Sequence, residues 1–244
     1  MKAVIVIPAR WASTRFPGKP LAMIAGTSLI QRVYERVAVS KLAHATYVAT
    51  DDERIEKHVA GFGGKVVRPA GDYQSGTDRI AAALDLIEKN ERTTFDQIVN
   101  VQGDEPLIDI RSVERVIDAL QTQPVDMATL ACPITTDEEY TSRDVVKVVT
   151  DLSGDALYFS RSAIPYGSRD LARRHIGLYG YQTRVLRAFA RMPPSSLERA
   201  ESLEQLRALE NGLKIRVLHT DQPHLGVDRP EDVARVESEL ARLH

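Results

Sequence analysis

Residues Ala3–Ile7 (AVIVI) carry no polar side chain, and every residue of the run after Ala3 is β-branched. Such a run reads as a strand buried on both faces, the kind found in parallel sheets sandwiched between helices. The chain that follows keeps a matching rhythm. Ser28–Val39 sets Leu29, Ile30, Val33 and Val37 at helical spacing behind Ser28, a plausible N-cap. Thr46–Thr50 reads as a strand, and a polar helix over about Asp52–Ala60 ends at the glycines of GFGG, 61–64. Lys65–Arg68 is a short strand, 77–89 a helix with Ile80, Ala83, Leu84 and Ile87 on one face, and Asp96–Gln102 another buried strand. This alternation predicts an α/β fold with a mostly parallel sheet and helices on both faces. Right-handed crossovers bring the strand ends to one side, where ligands of such sheets bind. Pro8–Lys19, Asp51–Asp52 and Gly103–Pro106 each follow a predicted strand directly, so they should gather at that edge.

The second half changes character. Val145–Thr150 and Ala156–Ser160 flank DLSGD, which has turn chemistry, and together they predict a β-hairpin. His175–Gln182 reads as a further strand. Pro193–Pro194 precede a long helix over about Ser196–Leu209, stopped by Asn211–Gly212. Lys214–His219 is a strand, and Pro230–Leu243 a helix with proline near its first turn.

Composition narrows the function classes. The formal net charge is −2 over 244 residues, so the basic excess of a nucleic-acid-binding protein is missing. The single cysteine, Cys132 in MATLACP, has no intrachain disulfide partner and reads as a core residue. No stretch reaches the roughly 20 apolar residues of a membrane span, and the N-terminus does not have the form of a signal peptide. The expectation is a cytoplasmic protein that neither inserts in a membrane nor binds nucleic acid.

The loop after the first strand, IPARWASTRFPGKPL over 7–21, places Arg10, Arg15 and Lys19 around Gly18. Cations in this density suit a polyanion such as a triphosphate: arginine offers a planar donor fork, lysine a point charge, and a glycine-containing backbone further donors. The pattern is neither GxxxxGK[ST] nor GxGxxG, which argues against an ATPase P-loop and a dinucleotide fold. On charge alone, a solvated basic loop remains an equal alternative.

This loop resembles the signature loop of 3-deoxy-manno-octulosonate (Kdo) cytidylyltransferases. The blocks YQSGTDR (73–79), NVQGDEP (100–106), ALYFSRSAIP (156–165), HIGLYGY (175–181), LEQLR (203–207) and GVDRPED (226–232) resemble family blocks in the same order. The resemblance implies a Rossmann-like nucleotide-diphospho-sugar transferase fold in one domain over 1–244, with a β-rich subregion at about 133–182 for sugar binding and dimerisation. It implies CMP transfer from CTP to Kdo, with pyrophosphate released; the same transfer to a related acidic sugar, an amino-modified Kdo or a sialic-type acid, is the alternative. The expected partners are those two small molecules and a second copy of the chain, and the expected cofactor is Mg²⁺.

The implied roles fall on particular residues. Lys19, Asp104 and Asp228 would be catalytic, with Asp104 and Asp228 as Mg²⁺ ligands; without the resemblance, Asp104 reads as a turn residue and Asp228 as a helix N-cap. Ala9, Arg10, Arg15, Lys19, Gln74, Ser75, Arg79 and Gln102 would hold the nucleotide. Ser75 or Thr77 can equally cap the following helix, and the Gln102 amide can serve a buried structural bond. Arg161, His175, Tyr179, Glu204 and Gln205 would contact the sugar. His175 and Tyr179 share a strand face, with Gly177 and Gly180 leaving room beside them. Glu201, Glu204, Gln205 and Ala208 form one helical stripe, which without the resemblance is a solvated face. The segment from Tyr166 to His175 is short for the family, which bears on the dimer geometry. A glycosyltransferase and a non-catalytic sugar-nucleotide sensor are the competing classes. The basic cluster suits a free triphosphate better than the first, and Lys19, Asp104 and Asp228 together exceed what the second needs.

Overall fold

In the computed structural model β1 (Ala3–Ala9) is the dry strand expected, with Ala3–Ile7 fully shielded from solvent. The described residues are 1–12, 15–71, 73, 76–221 and 225–242. They fall into two compact units, Met1–Glu114 with His224–His244, and Arg115–Pro223.

In the first unit, β2 (Met23–Ile24) and β3 (Thr27–Ser28) form a small hairpin that leads into α1 (Leu29–Ala38). Ser28 caps α1 as predicted, its hydroxyl accepting the Gln31 N–H at 3.3 Å. Next come β4 (Ala43–Thr50), α2 (Glu53–Gly61) and β5 (Val66–Val67), then α3 (Gly76–Glu91) and β6 (Gln97–Asn100). Strands β1, β4, β5 and β6 are parallel and run in the order β6-β1-β4-β5, with Ile5 of β1 opposite Thr46 on one side and Val99 on the other. Helices α1 and α3 both pack on β1 and β4. From β1 the chain moves one way, through α1 to β4. Later α3 brings it back to pair β6 on the opposite edge of β1. The strand order therefore reverses between β1 and β6, which makes their C-terminal ends a topological switch point.

Helix α4 (Ile110–Thr122) was not anticipated. It buries Val113, Val116, Ile117 and Leu120 at helical spacing.

The second unit is built on β7 (Met127–Pro133), on which Cys132 is a buried core residue as expected. After α5 (Asp137–Thr141), β8 (Lys147–Thr150) and β9 (Ala156–Ser160) form the predicted hairpin. Lys147 is fully buried there and donates from Nζ to the carbonyls of Ser142, Val145 and Arg161 at 2.6–2.7 Å. Strand β10 (Arg173–Gln182) runs antiparallel to β7 and β8, and α6 (Thr183–Phe189) follows it.

The single helix expected over 196–209 is instead two: α7 (Ser196–Glu201) and α8 (Gln205–Glu210). Ser202 between them takes a left-handed conformation, φ 55°. A capping box of Ser195 and Glu198 starts α7. Arg207 then donates to both Glu198 carboxylate oxygens, Nε at 2.8 Å and Nη2 at 2.7 Å. On one continuous helix those residues would stand about 13.5 Å apart along the axis. The break is what lets them meet. Strand β11 (Ile215–His219) pairs parallel to β7, and α9 (Asp232–Arg242) belongs to the first unit. Among the described residues no helix is long and apolar enough to cross a membrane.

Removing Arg207 leaves the Glu198 carboxylate, 14% exposed, without its bidentate partner. Arg207→Ala is expected to lower unfolding free energy by about 3 kcal/mol, the usual scale for breaking a shielded pair from one side. Urea denaturation of the variant and the parent checks this; a change below about 0.5 kcal/mol contradicts it.

Candidate active site

The loops after β1 and β6 diverge at the switch point and open a cavity of about 370 Å³. The two backbones touch at its floor: a Cβ on Gly103 would lie 2.9 Å from the Pro8 carbonyl oxygen. Ala9, Arg10, Arg15 and Lys19 line the cavity from the β1 side, and Gln102 and Asp104 from the β6 side. Arg79 enters from α3, and Asp228 from the segment before α9. The structure thus brings together every expected nucleotide and metal residue that it describes. Gln74 and Ser75 lie outside the described residues. Thr77 sits inside the first turn of α3, which begins at Gly76, so it is not that helix's cap.

Lys19 is the electrostatic centre. Its Nζ lies 2.7 Å from Asp104 Oδ2 and 3.6 Å from Asp228 Oδ1, and Arg15 Nη2 reaches the same Asp228 oxygen at 3.3 Å. Burial pushes the Asp104 carboxyl up, while the adjacent Lys19 ammonium pulls it down. Asp228 does not cap α9. The helix starts four residues later, at Asp232, whose Oδ2 accepts the N–H groups of Asp228 and Arg229 at 2.9 Å each and so holds the segment that leads into α9. The Val227 N–H donates to the Asp104 carbonyl at 2.9 Å, tying the two acidic segments together. Both carboxylates therefore converge on one cationic position. Among the described residues no cluster of three or more acidic, His or Cys side chains could hold a metal. Two carboxylates beside a triphosphate-sized space nevertheless fit Mg²⁺, which keeps waters and phosphate oxygens as its other ligands.

Arg79 is 4% exposed and donates to Asp51 at 2.7 Å, while its Nη1 is buried without a partner. An unpaired guanidinium nitrogen in a cavity wall is a position that a ligand oxygen would satisfy.

The expected sugar residues all belong to the second unit. The His175 and Tyr179 rings lie 5.3 Å apart, but simple strand alternation does not put them there. β10 bulges between Ile176 and Tyr179, and Thr129 of β7 fills the bulge. The Thr129 Oγ1 stands 2.8 Å from the Leu178 carbonyl and 3.1 Å from both the Ile176 carbonyl and His175 Nε2. Its one hydrogen goes to a carbonyl, so its oxygen accepts from an Nε2–H of a neutral imidazole. Burial pushes His175 down to about 3. The Tyr179 hydroxyl is buried, and that burial raises it well above its ordinary value. Gly180 packs against Val116 and Leu120 of α4 instead of leaving room for a ligand.

The helical stripe is also corrected. Glu201 accepts from the Ser160 hydroxyl and the Arg161 N–H at 2.6 and 2.9 Å; Glu204 faces Arg207 at 3.3 Å; Gln205 and Ala208 are buried. The break at Ser202 is the reason, since it rotates the two halves of the stripe apart. Arg161 donates to the carbonyls of Glu201 and Arg143 at 3.0 and 3.1 Å.

A cytidylyltransferase family model matches residues 4–215. A 3-deoxy-manno-octulosonate cytidylyltransferase of Syntrophotalea carbinolica is 51% identical, with all of both chains covered. The chain belongs to the 3-deoxy-manno-octulosonate cytidylyltransferase family. An 8-amino-3,8-dideoxy-manno-octulosonate cytidylyltransferase of Shewanella sp. is 47% identical over 99% of each chain. Among solved structures, a CMP:2-keto-3-deoxy-manno-octonic acid synthetase complexed with CTP matches with a TM-score of 0.92 and 41% identity, covering 100% of both chains.

Within this family frame, the sequence reading missed several contributors to the cavity. Tyr73 lines it and opens the YQSGTDR block; Asp51 holds Arg79; Asp232 closes the GVDRPED block and holds the Asp228 backbone. For Tyr73 and Asp232 the motif itself was the signal. For Asp51 only its place after a strand pointed the way.

His175 offers a pH test with a fixed sign. Its folded value of about 3 lies below the ordinary 6.5, so stability is complete above pH 6.5 and is lost as pH falls toward 3. Over that window one proton contributes a slope of about 1.4 kcal/mol per pH unit. Urea denaturation between pH 4 and 7 should show the slope reduced by about that amount in His175→Gln. An unchanged slope would mean the imidazole is not held neutral.

Proposed function

We propose that the protein transfers CMP from CTP to 3-deoxy-D-manno-octulosonate, giving CMP-Kdo and pyrophosphate for lipopolysaccharide synthesis. The observation that carries this reading is the switch-point cavity, where Lys19 faces Asp104 and Asp228 beside Arg10 and Arg15. The 51% identity to a relative of that name supports the choice of sugar.

In the reaction the anomeric hydroxyl of the sugar attacks the α-phosphorus. The new O–P bond forms as the bond to the β-phosphate oxygen breaks, pyrophosphate departs, and the hydroxyl proton passes to water. Nothing in this sequence needs a covalent enzyme intermediate. The protein's share is positioning and charge. Arg10, Arg15 and Lys19 neutralise phosphate oxygens, and the pyrophosphate leaves from within that cluster. Arg79 offers its unpaired Nη1 to a ligand oxygen, and Gln102 offers an amide for the base or a sugar hydroxyl. Mg²⁺ would be held by Asp104 and Asp228 and, when bound, polarises the phosphate under attack. Arg161, His175, Tyr179, Glu204 and Gln205 are the residues we assign to the acidic sugar. The pairing of the His175 and Tyr179 rings at 5.3 Å on β10 supports that assignment. The same reading places the protein in the cytoplasm as a homodimer. The exposed Leu152 and Leu157 of the β8–β9 hairpin, with the exposed Tyr166 and Leu171 of the segment that follows it, support a self-association surface.

Pyrophosphate release with CTP and Mg²⁺, run against Kdo, 8-amino-Kdo and a sialic acid, tests the assignment. Turnover is expected with Kdo; turnover with 8-amino-Kdo or the sialic acid and none with Kdo overturns it. Lys19→Met and Asp228→Asn are each expected to lower kcat by roughly 10²-fold or more, the scale for losing one charge-stabilising group. Retained turnover in Asp228→Asn would sink the metal assignment.

A further inference from the structure

The loop that carries Arg10, Arg15 and Lys19 has a support outside the cavity. Asp52, which follows β4 and caps α2, binds Arg54 through both carboxylate oxygens, Nε to Oδ1 at 2.9 Å and Nη2 to Oδ2 at 2.6 Å. The Arg54 guanidinium carbon lies 3.4 Å from the centroid of the Trp11 ring. That is a stacking distance, at which the fork of an arginine pre-ordered by its own carboxylate pays little entropy to stay. The Trp11 ring in turn lies against Gly18. A Cβ there would sit 2.9 Å from the ring, and Gly18 takes φ +71°. The Gly18 N–H also donates to the Trp11 carbonyl at 3.1 Å, closing the loop on itself. Lys19 follows directly as the first residue of a short 3₁₀ turn, Lys19–Leu21, against which α2 packs. A large aromatic side chain on a polar loop would ordinarily be drawn into the core. Here it is held between a guanidinium and a glycine next to the central cation of the site.

We propose that Trp11, stacked on Arg54, is a positioning residue for the phosphate-binding loop. It fixes Gly18 and so sets where Lys19 presents its ammonium, and Asp52 and Arg54 hold it in place without touching the nucleotide. What the loop binds rests on the function proposed above; how the loop is held does not. Trp11 is the chain's single tryptophan, so its fluorescence reports this contact alone.

Two measurements on Arg54→Ala and Arg54→Lys test the proposal in the full-length protein. Acrylamide quenching of Trp11, with no ligand present, should rise in Arg54→Ala and stay near the parent value in Arg54→Lys. Steady-state kinetics with CTP should show KM raised about two- to fivefold in Arg54→Ala, the range for an exposed cation–π contact, with kcat within twofold, an unchanged melting temperature and recovery in Arg54→Lys. Unchanged quenching together with unchanged KM overturns the proposal. So does a KM increase that comes with a matching loss of melting temperature, because that is a general structural defect. Should the parent protein fail to bind CTP, the functional assignment falls, while the quenching comparison still decides whether Arg54 holds Trp11.

Discussion

With both faces of β1 shielded from water, the strand needs a neighbour on each edge and apolar cover above and below. β4 and β6 supply the edges, and α1 and α3 pack against the strand and its neighbour. Filling both edges with parallel strands forces the chain to cross back over β1, and that return creates the reversal of strand order. A crevice at the strand ends follows from the reversal, since the two loops leaving it must turn apart. The site is thus a by-product of keeping a five-residue apolar run dry.

Into that crevice the chain delivers charge from distant places. Lys19, Asp104 and Asp228 come from three separate segments and meet within 3.6 Å of one ammonium. The molecule as a whole is slightly acidic, with net charge −2, so the basic character needed for a triphosphate is local. It is local because Arg10, Arg15 and Lys19 share a single loop. The acidic pair keeps that loop charge-balanced in the free protein and offers hard oxygen donors to a cation.

Much of the fold was legible because it rests on short-range pattern. Ser28 was readable as a cap from its place before an apolar periodic run. The β8–β9 hairpin was readable from DLSGD between two β-rich runs. Helix α4 carries an equally regular pattern at Val113, Val116, Ile117 and Leu120. The helix expected over 196–209 failed for a non-local reason. Its local propensity is continuous, but Arg207 pairs with Glu198, and a helix without a break at Ser202 cannot bring them together. The bulge in β10 is similar: the hydroxyl of Thr129, on another strand, sits among the Ile176 and Leu178 carbonyls that the bulge exposes and donates its one hydrogen there.

The residues alone determined that the first strand is buried, that a basic loop follows it, and which blocks of the chain carry family character. Each of these depends on neighbours in sequence, through side-chain periodicity, backbone freedom and charge density. Only the tertiary structure decided that Lys19 faces two carboxylates, that Asp232 holds the backbone of Asp228 and Arg229, that Gln205 is buried, and that Trp11 rests under Arg54. Those outcomes depend on which groups lie within a few ångströms across space. Hydrogen bonds and ion pairs fall off over that distance, and a linear order of residues does not encode it.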